Sequence, residues 1–303
     1  MINKIIKAAV IGDPISHSLS PKLHNYWLQK YKINGSYEAI HVKKEDLESA
    51  IESMVKKDYA GFNVTIPHKE KVFQIIHELL QKSQGKISNS VKVSKAVNTV
   101  FINKSEKNNL EGYNSDDYGF AENLKNTLPN IILKDKNAFL IGAGGASRAI
   151  IFSLIIDFQV KNIFITNRSK DKFDQIYQDF ATTPLLHPTN PNSAKLIFLE
   201  KNDFENQFSN CDILINATSL GMLNQAPLEI NLEKLPKSAI VYDIVYKPLI
   251  TDLLKNAKAR GNKIVTGIGM LAFQAAIGFE KWFSHKPKID NELLEFLTKE
   301  SQK

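Results

Sequence analysis

The segment Leu140-Ile-Gly-Ala-Gly-Gly-Ala-Ser-Arg148 lies close to the middle of the chain. Apolar residues lead into three glycines, and small residues then open an apolar stretch of helical length. This pattern is typical of a buried parallel strand that turns sharply into a helix, whose first amides can hold a phosphate group. Ser147 stands where a third motif glycine is usual, so a plain strand-to-helix turn is the alternative interpretation.

The residues around this turn predict the first βαβ unit of a dinucleotide-binding fold. A strand is expected over Asn137–Ile141, a helix over Ala146–Phe158 and a second strand over Asn162–Thr166. The next residues are Asn167-Arg-Ser-Lys170, where an acidic side chain would favour NAD and an arginine favours the 2′-phosphate of NADP. No acidic residue occurs there, so the sequence favours NADP. The alternative is that Arg168 only ends the strand.

Length and composition exclude several classes of protein. A chain of 303 residues is long enough for two domains, and no apolar run reaches the roughly 18 to 20 residues of a membrane span. The net charge of +7 is spread along the chain without a basic arm, which argues against nucleic-acid binding. The single cysteine, Cys211, lies in an apolar run and predicts a buried side chain, not a nucleophile. With no export signal at its start, the chain is expected to be a cytoplasmic monomer or homodimer.

The N-terminal part alternates strands and helices, which predicts a parallel sheet covered by helices. Ser20 followed by Pro21 predicts a helix start with the serine as N-cap, and Pro67 predicts the first turn of another helix. Three prolines within 181–193 predict a loop. The expected strands are Lys7–Ile11, Tyr37–Val42, Gly61–Ile66 and Ala96–Ile102, the last followed by a hairpin loop over 103–109.

Four polar residues in this part are candidates for chemistry, and each also has a structural interpretation. Lys69 falls in the first turn of a predicted helix, where the macrodipole disfavours a positive charge, although a solvated surface lysine is the common case. Asp116 precedes a helix predicted over 117–128 and could act as its N-cap. Ser18 and Ser20 could bind a carboxylate together, or only stabilise their turn.

Taken together, these segments resemble the shikimate dehydrogenase family. The resemblance spans about residues 5–275 and implies an α/β fold with two lobes. Residues 1–117 and 267–303 would form a substrate lobe, to which the C-terminal helices return, and residues 118–266 a doubly wound, Rossmann-type NADP lobe. The matching segments are, in order, Ser16-His-Ser-Leu-Ser-Pro21, Gly61-Phe-Asn-Val-Thr-Ile-Pro-His-Lys69, Ala96-Val-Asn-Thr99, Gly112-Tyr-Asn-Ser-Asp116, Gly142-Ala-Gly-Gly-Ala-Ser-Arg148 with Asn167-Arg-Ser169, and Asn216-Ala-Thr-Ser onward to Gly267-Ile-Gly-Met-Leu271.

The resemblance also implies the reversible, NADPH-dependent reduction of 3-dehydroshikimate to shikimate, a step of aromatic amino-acid biosynthesis. It makes Lys69 and Asp116 the catalytic pair. It assigns Ser18, Ser20 and Tyr246 to the substrate carboxylate, and Thr65, Asn98 and Gln274, together with the catalytic pair, to the ring oxygens. It assigns to the cofactor Gly142, Ala143, Gly144, Gly145, Ala146, Asn167, Arg168, Ser169, Lys172, Ile244 and Gly267. No metal ion is expected.

The chemistry of ketone reduction agrees with these residue types. Hydride must reach the carbonyl carbon while a proton or a positive charge reaches the oxygen. The positive end of a helix disfavours the charge of Lys69, whereas a nearby carboxylate favours it, so a coupled Lys69–Asp116 pair could relay the proton.

Two departures from the family pattern bear on specificity. Lys172 stands where many members have an arginine on the 2′-phosphate; lysine keeps the charge but loses the bidentate geometry, which would soften the preference for NADP. Ile244 and Val245 precede Tyr246 and are expected to alter packing near the nicotinamide. One alternative is a quinate/shikimate dehydrogenase with broader cofactor use. Another is a non-catalytic sensor, which would lack Lys69 or Asp116.

Overall fold

The computed structural model describes residues 5–106, 109–186 and 193–302. The chain divides into two compact units: Met1–Asp116 with Leu271–Leu297, and Asp117–Met270 with Thr298–Lys303. The predicted lobe boundaries after 117 and after 266 lie near the ends of these segments, and the functional roles of the two units remain proposals. No helix among the described residues combines the length and the apolar character needed to cross a membrane.

The first unit contains a six-stranded sheet in the order β2-β1-β3-β5-β6-β4. Strand β1 runs parallel to β2 and β3, but β5 is antiparallel to both of its neighbours. The strand–helix repeats correctly predicted the parallel pairing of β1 with β2 and β3. The antiparallel pairing of β5 with β6 agrees with the hairpin loop predicted between them, because a short hairpin connection joins antiparallel strands. The strands are β1 (Ile6–Gly12), β2 (Gly35–His41), β3 (Gly61–Val64), β4 (Gly85–Ile87), β5 (Thr99–Asn103) and β6 (Asn109–Tyr113).

The second unit contains a six-stranded sheet in which every pairing is parallel, in the order β12-β11-β10-β7-β8-β9. The chain builds outward from β7 in one direction and then from β10 in the other, which is the doubly wound order of dinucleotide-binding folds. The strands predicted before and after the glycine turn are confirmed. The strands are β7 (Asn137–Ile141), β8 (Asn162–Thr166), β9 (Lys195–Phe198), β10 (Ile213–Asn216), β11 (Ile240–Asp243) and β12 (Lys263–Val265).

Helices cover both sheets, and three of those in the described residues contain unit boundaries. The α-helices of the described residues are α1 (Ser20–Lys30), α2 (Leu47–Lys56), α3 (Lys69–Gln81), α4 (Asn89–Ser94), α5 (Asp116–Thr127), α6 (Gly145–Ile156), α7 (Lys170–Ala181), α8 (Lys201–Asn206), α9 (Asp252–Ala259), α10 (Gly267–Phe283) and α11 (Asn291–Ser301). The first unit changes to the second within α5, the second returns to the first within α10, and the first changes to the second again within α11.

Several predicted boundaries differ from the structure. Ser20 is not an N-cap but the first residue of α1, and its N–H donates to the hydroxyl of Ser18 at 3.3 Å. Pro67 precedes α3, which begins at Lys69. Of the predicted loop 181–193, residues 187–192 lie outside the described residues, as do 107 and 108 of the predicted hairpin loop.

Each unit has its own apolar core, which lies between the sheet and the helices that pack on it. In the first unit, Phe62, Val100 and Ile76 are fully buried in one cluster. In the second, Phe139 and Leu214 occupy the equivalent position between sheet and helices. The cores keep the ends of the strands in fixed positions, and the polar segments described below follow those ends.

A histidine lies inside the aromatic part of the first unit. His24 is fully buried, stacks on Tyr37 with ring centroids 3.9 Å apart, and lies beside Trp27, Phe279 and Trp282. Burial lowers the pKa of His24 to about 3. The folded chain therefore contains a neutral imidazole over most of the acidic range.

We expect acid to destabilise this chain partly through His24. Between pH 6.5 and about 3 the unfolded chain binds a proton that the folded chain does not, so the free energy of unfolding falls as the pH falls through that window. The contribution reaches at most roughly 1.4 kcal/mol per pH unit. Urea titrations from pH 3.5 to 8 measure it, with His24→Phe as the comparison, because phenylalanine keeps the ring contacts without a titrating nitrogen. Parallel stability curves for the two proteins would contradict this prediction.

Candidate functional site

In the first unit, the starts of two helices bring a lysine and an aspartate together. Lys69 is the first residue of α3 and Asp116 the first of α5. The Lys69 Nζ lies 2.5 Å from Asp116 Oδ2, and the side chains are only 15% and 7% exposed. The carbonyl of Lys69 accepts a hydrogen bond from the N–H of Val97 at 3.0 Å, which attaches the start of α3 to the segment that precedes β5. The pair is thus held in place from both backbone and side-chain sides.

Asn98 binds the second oxygen of the same carboxylate. Its Nδ2 donates to Asp116 Oδ1 at 2.7 Å and to Gln274 Oε1 at 3.2 Å. Its Oδ1 accepts from the N–H of Ser115 at 2.8 Å and from the hydroxyl of Thr99 at 2.9 Å. These donors fix the orientation of the amide, so its N–H groups must point at Asp116 and Gln274. Both oxygens of Asp116 accept from side chains of other segments, which supports a role beyond capping α5.

The predicted substrate residues Ser18, Ser20 and Thr65 belong to the same unit. Ser18 is half-buried two residues before α1, and Ser20, the first residue of α1, is buried. Thr65 follows β3, and its N–H donates to the carbonyl of Ile11 at 3.0 Å. The adjoining Gly12 has no side chain, and an added Cβ would overlap with the methyl group of Thr65. The end of β1 and the end of β3 are therefore packed tightly where these hydroxyls occur.

A buried chain of hydrogen bonds connects Tyr37 with the Asn98 region, and it was not predicted from the sequence. Burial raises the pKa of Tyr37 well above its usual value, and a hydrogen bond with the Ser20 side chain opposes the shift. The Tyr37 hydroxyl donates to Asn63 Oδ1 at 2.6 Å. The Nδ2 of Asn63 donates to the carbonyl of Asn98 at 3.1 Å and to the Thr99 hydroxyl at 3.0 Å. The available signal was a polar amide, Asn63, inside the apolar run of β3.

In the second unit, the glycine turn follows β7 and leads into α6. Gly142 has φ +110°, and a Cβ added there would come within 2.7 Å of the Thr218 methyl group, so a side chain is excluded on both counts. By contrast, a Cβ added at Gly144 would meet no protein atom within 4 Å. The helix begins at Gly145, one residue before the predicted Ala146, and has no acidic residue in its first turn. An open backbone before unobstructed helix amides fits a phosphate group.

The segment after β8 presents positive charge. The Asn167 side chain donates to the carbonyl of Ser169 at 2.9 Å and closes a turn, within which Arg168 is exposed. Lys172 is also exposed. In contrast, the Lys170 Nζ lies 2.6 Å and 2.8 Å from the two carboxylate oxygens of Asp174. Arg168 and Lys172 therefore fit the role of holding a 2′-phosphate better than Lys170 does.

The remaining predicted cofactor residues, Ile244 and Gly267, lie against each other. The N–H of Ile244 donates to the carbonyl of Asn216 at 3.1 Å. A Cβ added at Gly267 would overlap with the carbonyl oxygen of Ile244, so the start of α10 can approach this segment only with glycine. Tyr246 is half-buried nearby in sequence. Among the described residues, no group of three or more His, Cys, Asp or Glu side chains is placed to hold a metal ion.

Comparison with known proteins identifies the family. A family model described as the shikimate dehydrogenase substrate-binding domain matches residues 10–100, and one described as shikimate/quinate 5-dehydrogenase matches residues 123–246. The NADP(+) shikimate dehydrogenase of Paramagnetospirillum magneticum is 38% identical over 299 residues, which cover 98% of this chain and 99% of that protein. The chain belongs to the shikimate dehydrogenase family.

Solved structures of shikimate dehydrogenases share the fold. One in complex with NADP+ has a TM-score of 0.80 and 32% identity, covering 99% of this chain and 96% of that chain. The enzyme of Thermus thermophilus, in complex with NADP(H) and shikimate, has a TM-score of 0.78 and 30% identity, covering 98% of this chain and 100% of that chain. The predicted α/β fold with a Rossmann-type unit is confirmed.

Substitutions at two glycines distinguish a phosphate-binding turn from a strand-to-helix turn that binds no ligand. We expect Gly144→Ala to weaken NADPH binding by roughly tenfold or more without lowering the melting temperature, because the added methyl group would touch only a ligand. Gly142→Ala should lower the melting temperature as well, because of its φ and its contact with Thr218. Titration by NADPH fluorescence and thermal unfolding measure the two effects. Wild-type affinity in Gly144→Ala would favour the plain turn.

Proposed function

We propose that this chain is an NADP-dependent shikimate dehydrogenase, which reversibly reduces 3-dehydroshikimate to shikimate. The observation that carries the proposal is the buried contact between Lys69 and Asp116, with Asn98 on the second carboxylate oxygen. The pair offers a proton donor and acceptor next to hydrogen-bonding amides, which suits an alcohol–ketone interconversion. The relatives are NADP-dependent shikimate dehydrogenases, and this chain spans nearly their whole length.

The bound cofactor would supply the hydride, and the residues of the first unit would manage the proton and the substrate. In the reductive direction the ketone oxygen gains negative charge as hydride reaches its carbon. Lys69 and Asp116 act as one coupled group that delivers a proton to this oxygen, and in the oxidative direction they remove the hydroxyl proton. Because the pair is largely withdrawn from water, its electrostatic effect on the oxygen is stronger than it would be at the surface.

Substrate recognition is assigned to polar side chains in addition to this pair. The hydroxyls of Ser18 and Ser20 are assigned to the substrate carboxylate, and the family resemblance assigns Tyr246 to it as well. Thr65, Asn98 and Gln274 bind the ring oxygens. Asn98 has both N–H groups directed at Asp116 and Gln274 in the structure, so a substrate hydroxyl would share these donors with them. Such sharing discriminates between substrates, because a missing hydroxyl leaves buried polar groups unpaired.

The second unit fits NADP. Gly142, Ala143, Gly144, Gly145 and Ala146 form the turn for the pyrophosphate, and Asn167, Arg168, Ser169 and Lys172 surround the place expected for the 2′-phosphate. Ile244 and Gly267 are assigned to the nicotinamide side. A cytoplasmic location and a monomeric or homodimeric state complete the proposal; both rest on sequence composition and family resemblance.

The assay that tests the function follows absorbance of the reduced nicotinamide when purified protein meets shikimate and NADP+. We expect Lys69→Ala to lower kcat by roughly 10² to 10⁴-fold while the protein remains folded. Lys71→Ala is the matched control, since Lys71 lies in the same helix, is half exposed and pairs only loosely with Glu48 at 3.5 Å. A Lys69→Ala enzyme with wild-type turnover would overturn the catalytic assignment and favour a binding protein.

Cofactor choice is tested on the cationic segment. Lys172→Arg should increase kcat/KM for NADP relative to NAD, because the guanidinium can bind a phosphate through two parallel hydrogen bonds. Arg168→Ala should decrease the same ratio by about tenfold or more. Lys170→Ala should change it little, because Asp174 already holds that lysine. If quinate with NAD matched shikimate with NADP in kcat/KM, the protein would instead be a quinate/shikimate dehydrogenase with broader cofactor use.

A further inference from the structure

The conformation of residues 244–251, which connect β11 to α9, depends on side-chain hydrogen bonds. This segment carries Ile244 and Tyr246, which the proposed function assigns to the nicotinamide and to the substrate carboxylate. It has no regular secondary structure over 244–251, so its conformation depends on side-chain contacts. The inference below rests on the proposed function through these two residues.

A single buried carboxylate holds this segment at both of its ends. Asp243 is the last residue of β11 and is fully buried. Its Oδ1 accepts from the N–H of Val245 at 3.0 Å, and its Oδ2 accepts from the hydroxyl of Thr251 at 2.6 Å. Since Val245 lies near the beginning of the segment and Thr251 at its end, the carboxylate closes the segment into a loop.

Thr251 is itself fixed by the following helix. It is the N-cap of α9, and its hydroxyl oxygen accepts from the N–H of Leu254 at 3.4 Å. The hydroxyl therefore donates to Asp243 while it accepts from the helix, which uses both of its hydrogen-bonding roles. The hydrogen bond between Asp243 and Thr251, called the closure below, therefore joins the end of β11 to the start of α9.

Asn216 extends the closure to the neighbouring segment after β10. Its Nδ2 donates to Asp243 Oδ1 at 3.0 Å and to the carbonyl of Leu220 at 3.1 Å. Its Oδ1 accepts from both the N–H and the hydroxyl of Thr218, at 3.0 Å and 2.7 Å. The two segments also join through their backbones, where the N–H of Leu223 donates to the carbonyl of Lys247 at 2.8 Å. Thr218 in turn is the residue that excludes a side chain at Gly142.

This arrangement has a cost in free energy, because it buries a carboxylate. Burial raises the pKa of Asp243 to about 6, and the hydrogen bonds from Thr251, Val245 and Asn216 only partly oppose the shift. An apolar residue at the end of a buried strand would avoid the cost of burying a carboxylate. No apolar side chain, however, can bind three donors from two segments at once.

We propose that Asp243 is a positioning residue that, through Thr251 and Asn216, holds residues 244–251 in the shape that presents Tyr246 to the substrate. Asp243 itself touches neither the substrate nor the cofactor. Its removal loosens the segment, so the binding of the substrate carboxylate weakens more than the binding of the 2′-phosphate end of NADP.

The kinetic test combines substitutions at the two residues. Asp243→Ala should raise KM for shikimate about tenfold, and KM for NADP less. Asp243→Asn should recover most of this loss, because its oxygen can accept from Val245 and Asn216 while its amide donates to Thr251. If Asp243 acts through Tyr246, the double variant Asp243→Ala/Tyr246→Phe should raise KM no further than the worse single variant. Fold-changes that simply multiply would overturn the proposal.

Hydrogen exchange of the peptide covering 244–254 provides a readout that needs no turnover. Asp243→Ala should speed exchange in this peptide, whereas Asp252→Ala, which removes an exposed neighbouring carboxylate, should not. If Asp243→Ala does not fold, Thr251→Val takes its place in both tests with Thr251→Ser as its rescue. A wild-type protein inactive on shikimate would refute the proposed function. Hydrogen exchange would still test whether Asp243 restrains residues 244–251. Unchanged exchange, or a lower melting temperature with a normal KM, would refute the positioning role.

Discussion

The carboxylate of Asp116 is the group on which the first unit's polar architecture depends. A carboxylate that is largely buried must be paired and hydrogen-bonded, because leaving either oxygen without a donor would cost several kcal/mol. Lys69 binds one oxygen and Asn98 the other. Asn98 can do so only because Thr99 and Ser115 occupy its own oxygen. Each buried polar group therefore needs a further hydrogen-bond partner, and the network extends through Asn63 to the buried hydroxyl of Tyr37.

In the second unit the main constraint is on the backbone, because the amides at the start of α6 must stay accessible to a phosphate group. In a doubly wound sheet the carboxyl ends of adjacent strands meet at one edge, and β7 and β10 flank the place where the strand order reverses. Gly142 and Thr218 follow these two strands and pack against each other so closely that glycine is required. The polar closure around Asp243 continues the same edge to the end of β11. The three loops are thus held by contacts with one another.

Much of the fold could be predicted from the sequence, because apolar runs and turn residues determine where strands and helices begin and end. The strands β7 and β8 have the predicted bounds, since apolar runs with a glycine turn between them allow few other arrangements. The antiparallel pairing of β5 with β3 was not predicted, because the neighbours of a strand are decided by tertiary pairing and not by its own residues. Ser20 was wrong as an N-cap for a related reason: a hydroxyl before proline also suits the first helical turn when another serine is near.

The candidate site shows the same division. Family resemblance identified Lys69, Asp116 and Asn98, and the structure brings these three side chains into contact. It did not identify Asn63, Tyr37 or Asp243, whose importance comes from donors that lie far away in sequence. Asp243, for example, depends on an amide supplied by β10 and a hydroxyl that caps α9. Such convergence leaves no local pattern, because each residue alone is ordinary in its own segment.

Trp282 has a consequence for the order in which the chain can fold on the ribosome. Its indole N–H donates to the carbonyl of Val100 at 3.0 Å, and its ring fills the space left by the missing side chain of Gly61. This residue belongs to the first unit but is synthesised after nearly all of the second. The part of the N-terminal sheet around Gly61 and Val100 therefore lacks its covering indole until α10 has been made. The sheet that begins first is thus completed only after nearly all of the second unit has been synthesised.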